Sequence, residues 1–515
     1  MNDKKNQRRT AYKRIKRNER LLFAAVFIIE WAFGVYLGYN GVLLGDAMSR
    51  TANAFYVFYS EPYNLTSMGF VWNPLPSLLQ LPFVLLSKLW RPFVTKGIAM
   101  SFASALFAAW GAKGLYQTFH LMKVKEKYAL PVVLLYCFNP YIFFYGANGM
   151  TELMMASCGI QIICSLTLWM KKGHASEMIT MAFCFALMFL IRYEAIPFAI
   201  FIALGMALHM MCSGRERRYF PEKGLEKLWY VEGSMWVTFL PIIYAVVVWI
   251  LYNWSITGNP FYFLNSGYSM SAYSAYYTSY GGLFDVISYV FSRTWPFLIM
   301  PACVLISLFL SHRVKKHDTV IMILAMFGLM FFTTIMIVLG KSGGYVRYLC
   351  YPLMFSVAFL PYIYAKAGPY LKRVACVALA GLVLTGGVFT WAFRYSDTFR
   401  EDLLLNIPAQ TTQLSDYINH HLRGRRILMD SYRTYYAIMN VDVPEDLVIS
   451  CSMDFEDCVA DPVGTGIEYV VVPQIGSYGN MDALNIAYPE LYYKGAPWAQ
   501  LEAELGEFKL YKVIR

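Results

Sequence analysis

Charge is scarce in this chain. Only 15% of its 515 residues are Asp, Glu, Lys or Arg, against about 25% in a soluble domain. With 58% hydrophobic residues and a mean hydropathy of +0.43, that shortage excludes an ordinary soluble protein. The cysteines lack any zinc-site spacing. Eight of the ten lie in or beside apolar runs as core filler. The other two, Cys451 and Cys458 in "CSMDFEDC", are able to pair only if that region faces an oxidising compartment. There is no internal repeat and no long low-complexity tract. The first apolar stretch is long and is followed by no small-residue cleavage site, which excludes a removable signal.

What the chain has is apolar runs of about 20 residues, the length that crosses a bilayer as helix. They begin near Leu21, Gly97, Tyr128, Leu153, Ser176, Ala195, Trp229, Val286, Thr319, Tyr348 and Val374. The net charge of +11 sits largely in short clusters between them. The basic start, "MNDKKNQRRTAYKRIKRNER", reads as a cytoplasmic anchor rather than a nucleic-acid tail. A twelfth run, Asn73–Trp90, holds three prolines and is barely long enough to cross. If it does not cross, Lys123–Lys127, Lys171 and Lys172, Arg215–Arg218, His312–Lys316, and Lys372 and Arg373 all fall on the cytoplasmic side. If it does cross, nearly all of them fall outside, against the orientation bias of positive charge. The expectation is therefore eleven spans, with Asn73–Trp90 a re-entrant or surface-lying helix on the outer side and the C-terminus outside.

Three parts follow: a basic cytoplasmic N-terminus (1–20), a membrane domain (21–392) with an outer loop at 45–96, and an extracytoplasmic α/β domain (393–515). In the last, "TTQLSDYINHHL" and "MDALNIAYPEL" read as helices, and "RRILMD", "EYVVVP" and "EFKLYKVI" as strands. His420 and His421 are adjacent, so they point to different sides of a helix and read as surface residues.

The inner loops are mostly short and basic, whereas lone acids and arginines stand at the outer ends of spans. Asp46 and Arg50 lie in "GDAMSR", Glu152 in "GMTE", Arg192 and Glu194 in "IRYEA", and Arg347 in "GGYVRY". Each has an ordinary structural role open to it. Asp46 fits a helix N-cap paired with Arg50 at i+4, Glu152 a helix start, Arg192 and Glu194 an interfacial ion pair, and Arg347 a boundary anchor. Together they place two acids and two arginines on one face. The planar fork of arginine suits phosphate oxygens. When a sugar is transferred from a phosphate, the phosphate departs as a stable anion that needs little protonation, so one carboxylate acting as base suffices, where a glycosidase needs two. Glu30, in the middle of the first span, is expected to pair with Lys113.

The order of these segments resembles the GT-C superfamily of integral membrane glycosyltransferases, of the protein mannosyltransferase and aminoarabinose transferase type. Asp46 in "GDAMSRTANAFYV" stands where the superfamily's first-loop acid stands. "WNPLPSLL" (Trp72–Leu79) is similar to the proline-rich segment, with Asn73 where His is common. "FNPYIFFYGANGMTELMMA" (Phe138–Ala156) carries the second acid, Glu152, and "LIRYEAIPF" (Leu190–Phe198) the basic motif after a span. "TGNPFYFL" (Thr257–Leu264) and "GGYVRYLCYPLMF" (Gly343–Phe355) are similar to further family segments.

The resemblance implies a polytopic α-helical fold of about eleven transmembrane helices with outer juxtamembrane helices and a small C-terminal α/β domain. It implies transfer of a sugar from a polyprenyl-phosphate donor to a glycan, lipid or protein acceptor at the extracytoplasmic face of the cell membrane, with inversion. Asp46 is then the base, and Glu152 holds the acceptor or positions Asp46. Arg192 and Arg347 bind the donor phosphate. Arg50, Trp72, Asn73, Asn148, Tyr193, Glu194, Tyr262 and Lys341 are further candidate substrate contacts. Membrane lipids are expected as partners and nucleic acid is not. The first loop has no second acid beside Asp46, so a divalent metal stays open without support from the sequence, and no cofactor is fixed by it. A transporter or flippase of lipid-linked substrates, or a non-catalytic assembly protein on the same scaffold, are the competing readings.

Overall fold

The computed structural model describes residues 2–60, 63–212, 224–269, 282–311, 314–404, 407, 411–476 and 479–514. The basic cluster Arg215–Arg218, residues His312 and Arg313, and the tip of the Tyr-, Ser- and Gly-rich loop lie outside them. The chain divides into two compact units. One comprises Met1–Ala32, Ser104–Tyr252 and Tyr273–Asp402, and the other Phe33–Ala103, Asn253–Ala272 and Leu403–Arg515.

The eleven runs expected to cross lie largely in helix, but they do not make eleven uniform spans. Among the described residues, eight helices are long and apolar enough to cross a membrane. A ninth candidate is the pair Glu126–Cys137 and Pro140–Ala147, bent by 62°. Pro140 opens the second half, where its missing N–H does no harm, and the Asn139 side chain accepts from Tyr141 N at 3.1 Å to cap it. The run from Ala175 to Ile191 is a 17-residue helix. Two expected spans fall in one stretch, Val346–Tyr395, of 50 residues. That length is about 75 Å of helix, more than twice a bilayer core, and it is interrupted at Gly368, whose φ is +55°.

Asn73–Trp90 does not form one long helix. Its prolines divide it into Leu75–Leu78 and Leu81–Leu86, followed by Pro92–Thr95, each too short to cross. Glu30 is buried but does not meet Lys113. Its carboxylate lies against Gly146, where a Cβ would stand 2.2 Å from Oε2. The Lys113 ammonium instead lies 5.9 Å from the centre of the Phe23 ring.

In the second unit a five-stranded sheet is built from β1 (Ile427–Leu428), β2 (Leu447–Val448), β3 (Tyr469–Pro473), β4 (Ala499–Leu505) and β5 (Phe508–Val513), in the order β2-β1-β3-β5-β4. The first three are parallel and the last two pair antiparallel. Strand β3 is buried throughout, as its unbroken "YVVVP" requires. Its neighbours in the core include Leu428, Val448, Leu484 and Tyr511. Cys451 and Cys458 are both free thiols, so the pairing left open by the sequence is not made. His420 and His421 are exposed.

The same unit joins this α/β fold to the segment after the first span. The helix Gly45–Tyr59 packs against Ser431–Asn440. Ile407 N donates to Leu43 O at 3.0 Å, and the Tyr436 hydroxyl to Thr95 O at 3.2 Å. Tyr268 donates to Asp430 at 3.0 Å, which ties Asn253–Ala272 to the start of Ser431–Asn440.

Candidate functional site

In the first unit, three separate turns bring charges together. The turn Asn148–Met150 starts one helix: Asn148 Oδ1 accepts from Met150 N at 2.9 Å, and Gly149 has φ +80°. The helix Thr151–Lys172 then carries Glu152 in its first turn, where the positive end of the helix dipole favours an acid. The turn Arg192–Glu194 joins Ala175–Ile191 to Ala195–Cys212, and extended φ and ψ at Arg192 (−152°, 145°) end the first of these. The 3-10 turn Val346–Leu349 supplies Arg347.

Arg192 reaches across to Glu152 and donates from Nη1 to Oε1 at 2.6 Å. The same nitrogen donates to the Thr151 hydroxyl at 3.1 Å, and Nε to Glu194 Oε1 at 3.1 Å. Arg347 Nε stands 3.5 Å from Glu152 Oε1, and its Nη1 donates to Asp402. Asp402 also accepts from the Tyr145 hydroxyl. The Tyr348 ring lies 5.2 Å from each of the two guanidinium carbons, close enough for cation–π attraction to both. The Glu152 side chain has no exposed surface, and Arg347 and Asp402 are each 6% exposed, Arg192 11% and Glu194 25%. The cluster is a chain of three carboxylates and two guanidiniums, and Glu194 is its most open member.

Glu152 Oε2 is buried and has no hydrogen-bond partner among the described residues. Such an oxygen forfeits about 1–3 kcal/mol, a cost that functional sites tolerate. Beside the cluster, Glu401 accepts from Val346 N and from Arg293 Nη1, the latter at 3.2 Å. Burial is the main cause that pushes its carboxyl up to about 7, with the negative charge of Asp402 adding to it.

In the second unit, Asp46 lies in the first turn of Gly45–Tyr59, but Leu44 is the N-cap residue and no side chain caps that end. Arg50 donates to the Asp46 main-chain oxygen at 3.0 Å, and its guanidinium stacks 4.2 Å from the centre of the Trp72 ring. Asn73 is buried. Ser77 donates to Arg50 O at 2.9 Å, which fixes the proline-rich segment to the Asp46 helix. Tyr435, on Ser431–Asn440, lies within the field of Asp46: burial first, and then that carboxylate, push its phenol up to about 12. Tyr262 is half-buried in the short helix Tyr262–Asn265.

The structure thus brings Glu152, Arg192, Glu194 and Arg347 together in the first unit, and Asp46, Arg50 and Trp72 in the second. Asn148 is buried and shapes the turn before Glu152. Tyr193 accepts from Trp249 Nε1 at 3.0 Å. Lys341 is exposed and forms no ion pair among the described residues. Asp402, Tyr145, Thr151, Glu401 and Arg293 belong to the cluster and were not singled out in the sequence. Glu401 and Asp402 stand in "RED" just past a span, which reads as the opening of the soluble tail, whereas Tyr145 and Thr151 lie within the segment Phe138–Ala156 that carries Glu152.

No protein-family profile matches the sequence, and no curated protein matches it. Solved structures do. ArnT, the aminoarabinose transferase of Cupriavidus metallidurans, superposes in its apo state with a TM-score of 0.57 at 12% identity, over 96% of this chain and 98% of that one. Its structure bound to undecaprenyl phosphate gives 0.56 at 13% identity, over 95% and 97%. This chain has the GT-C fold. The oligosaccharyltransferase of Archaeoglobus fulgidus, tethered to an acceptor peptide, is a weaker likeness at 11% identity, over 88% of this chain and 69% of that one, with a TM-score of 0.43. At these identities the correspondence is one of fold, and the chemistry of this chain has to be argued from its own side chains.

Proposed function

We propose that the protein transfers a sugar from a polyprenyl-phosphate donor to an acceptor hydroxyl, with the reaction on the extracytoplasmic face of the cell membrane and inversion at the anomeric carbon. The observation that carries this reading is the agreement in fold, over nearly the whole of both chains, with a structure that holds undecaprenyl phosphate. In the reaction the acceptor oxygen bonds to the anomeric carbon and passes its proton to Asp46. The bond from that carbon to the phosphate oxygen breaks, and its electron pair leaves with the lipid phosphate. Asp46 serves as the base because it is half-buried on a helix held by the proline-rich segment and by Ser431–Asn440.

Arg192 and Arg347 hold the donor phosphate. Their guanidiniums already carry carboxylate partners, so the phosphate competes for them. Glu194, a quarter exposed, is the partner it displaces from Arg192. Glu152 sets the position of both arginines, and its unpartnered Oε2 takes a hydrogen bond from the acceptor.

The test is turnover by purified protein in lipid vesicles offered polyprenyl-phosphate sugars, read as release of polyprenyl phosphate together with a glycosylated acceptor. The reading is abandoned if the protein neither binds undecaprenyl phosphate nor releases it from any donor. Cysteine accessibility at positions 123 and 341, both exposed, tests the sidedness: position 123 should be protected from outside reagents and 341 should react with them.

A further inference from the structure

Far along the first unit from the charge cluster, two histidines converge on one carboxylate. His209 Nδ1 stands 3.1 Å from Asp318 Oδ1, and His317 Nε2 stands 3.4 Å from the same oxygen. The three donor atoms all lie within 4.8 Å of one another. His209 belongs to Ala195–Cys212 and the other two residues to Lys316–Val338. The Trp169 ring packs 5.7 Å from that of His209. Trp169 and Glu152 lie at opposite ends of Thr151–Lys172, about 25 Å apart along that helix.

We propose that His209, His317 and Asp318 form a site for a divalent transition metal of the zinc class. The geometry is that of a metal cradle. Zinc sits about 2.0–2.1 Å from nitrogen and carboxylate oxygen, so neighbouring ligands of a tetrahedral ion are about 3.3 Å apart. The two measured separations fall on either side of that edge. Imidazole and carboxylate in a two-to-one ratio suit zinc and its neighbours better than magnesium or calcium, which prefer oxygen alone.

The surroundings supply what such a site needs. Tyr362 donates to the other carboxylate oxygen, Asp318 Oδ2, at 2.7 Å, the kind of outer contact that fixes a metal-binding carboxylate. His209 and Asp318 are essentially buried, whereas His317 is 17% exposed and gives an ion a way in. Lys315 and Lys316 precede His317, but Lys316 is exposed and its charge is screened by solvent. Three protein ligands leave a fourth position for water. By ligating both helices the ion would staple Ala195–Cys212 to Lys316–Val338, a pair already packed along their length, as Gly205 against Ile321 and Gly328 against Phe201 record.

The experiment is zinc and cobalt titration of tag-free full-length protein, purified in detergent and stripped with a chelator. The expected result is one zinc per chain, bound in competition with a chromophoric chelator, and intense visible bands from bound cobalt that mark tetrahedral coordination. His317→Ala, at the most exposed ligand, should weaken zinc by more than about a hundredfold. Tyr362→Phe should weaken it about tenfold, as loss of an outer-shell partner does. Failure to bind a stoichiometric zinc overturns the proposal. So does zinc binding that His317→Ala leaves unchanged, because the ion is then held elsewhere. If Asp318→Asn does not fold, His317→Ala and the cobalt spectrum still decide.

Discussion

Arg192 closes on Glu152 at 2.6 Å, across forty positions of sequence, and it does so inside a carboxylate's own burial. A charge with no exposed surface is tolerable only when opposite charge and hydrogen bonds replace the lost water. Here Arg192 and Arg347 both face the same oxygen, Glu152 Oε1. The pair therefore fixes three turns of chain relative to one another as well as setting a local charge.

Removing one member should show that dependence. Glu152→Ala leaves two guanidiniums competing for Glu194 and Asp402 and should lower stability by about 3–5 kcal/mol. Glu152→Gln keeps the shape, loses the charge and should fall between that variant and the parent. Chemical unfolding in detergent, followed by tryptophan emission, measures both. A Glu152→Gln protein as stable as the parent would show that the two ion pairs contribute nothing to the fold.

Asp46 predicts a different pattern. Its helix holds on through Arg50 against Trp72 and Ser77 against Arg50 O, and Leu44 rather than Asp46 is the cap residue. Asp46→Asn should therefore fold and express normally while losing transfer by about 10²–10⁴-fold, the usual range for a general base. The comparison is single-turnover transfer in vesicles, with melting temperature as the control. Undiminished transfer by the folded variant would remove Asp46 from the chemistry.

The arginine partners separate donor binding from folding. Glu194 is the open end of the cluster and holds Arg192 through Nε and Nη2. Glu194→Gln weakens that hold without stranding a buried charge, so it should lower the donor KM by a few fold. Arg192→Ala should raise that KM by at least about tenfold, and Arg192→Lys should recover little, because the fork and not the charge alone grips a phosphate. Opposite effects of Glu194→Gln and Arg192→Ala on KM are the signature. A donor KM that responds to neither would take Arg192 away from the phosphate.

The helical membrane class was legible in the sequence because long apolar runs bounded by charge give a signal that survives without any partner, whereas the bend between Glu126–Cys137 and Pro140–Ala147 and the merging of two runs in Val346–Tyr395 were not. The same reading could locate Arg192 and Arg347 at span ends but could not see Asp402. It lies in "FREDLLLN" past the last span, 55 residues from the arginine it binds, and nothing local distinguishes it from the start of a soluble tail. Strand β4 was missed for a related reason. "AQLEAEL" has the composition of a helix and forms an exposed edge strand only because β5 pairs with it. The division at 393 followed composition, whereas compactness joins the first loop to the tail through Gly45–Tyr59 and Ser431–Asn440. The histidine–aspartate cradle was invisible as well, since its ligands come from two helices and share no spacing motif.

Glu401 gives the pH prediction. Burial raises its carboxyl from 4.5 to about 7, so the folded chain binds a proton there that the unfolded chain has released. For a raised acid, the stabilisation is fully present below the ordinary carboxylate range and is lost as pH rises through the folded value. The parent protein should therefore become less stable between about pH 4.5 and pH 8 by way of this group. Glu401→Gln keeps an acceptor for Val346 N and Arg293 and cannot ionise, so its stability should fall less over the same interval. Melting temperatures of the two proteins at half-unit steps of pH provide the difference, which cancels other titrations common to both. The curves should be closest at the acid end and separate towards pH 8, with the variant the more stable. Parallel curves throughout would mean that Glu401 ionises normally and that Arg293 and Val346 N offset its burial in full.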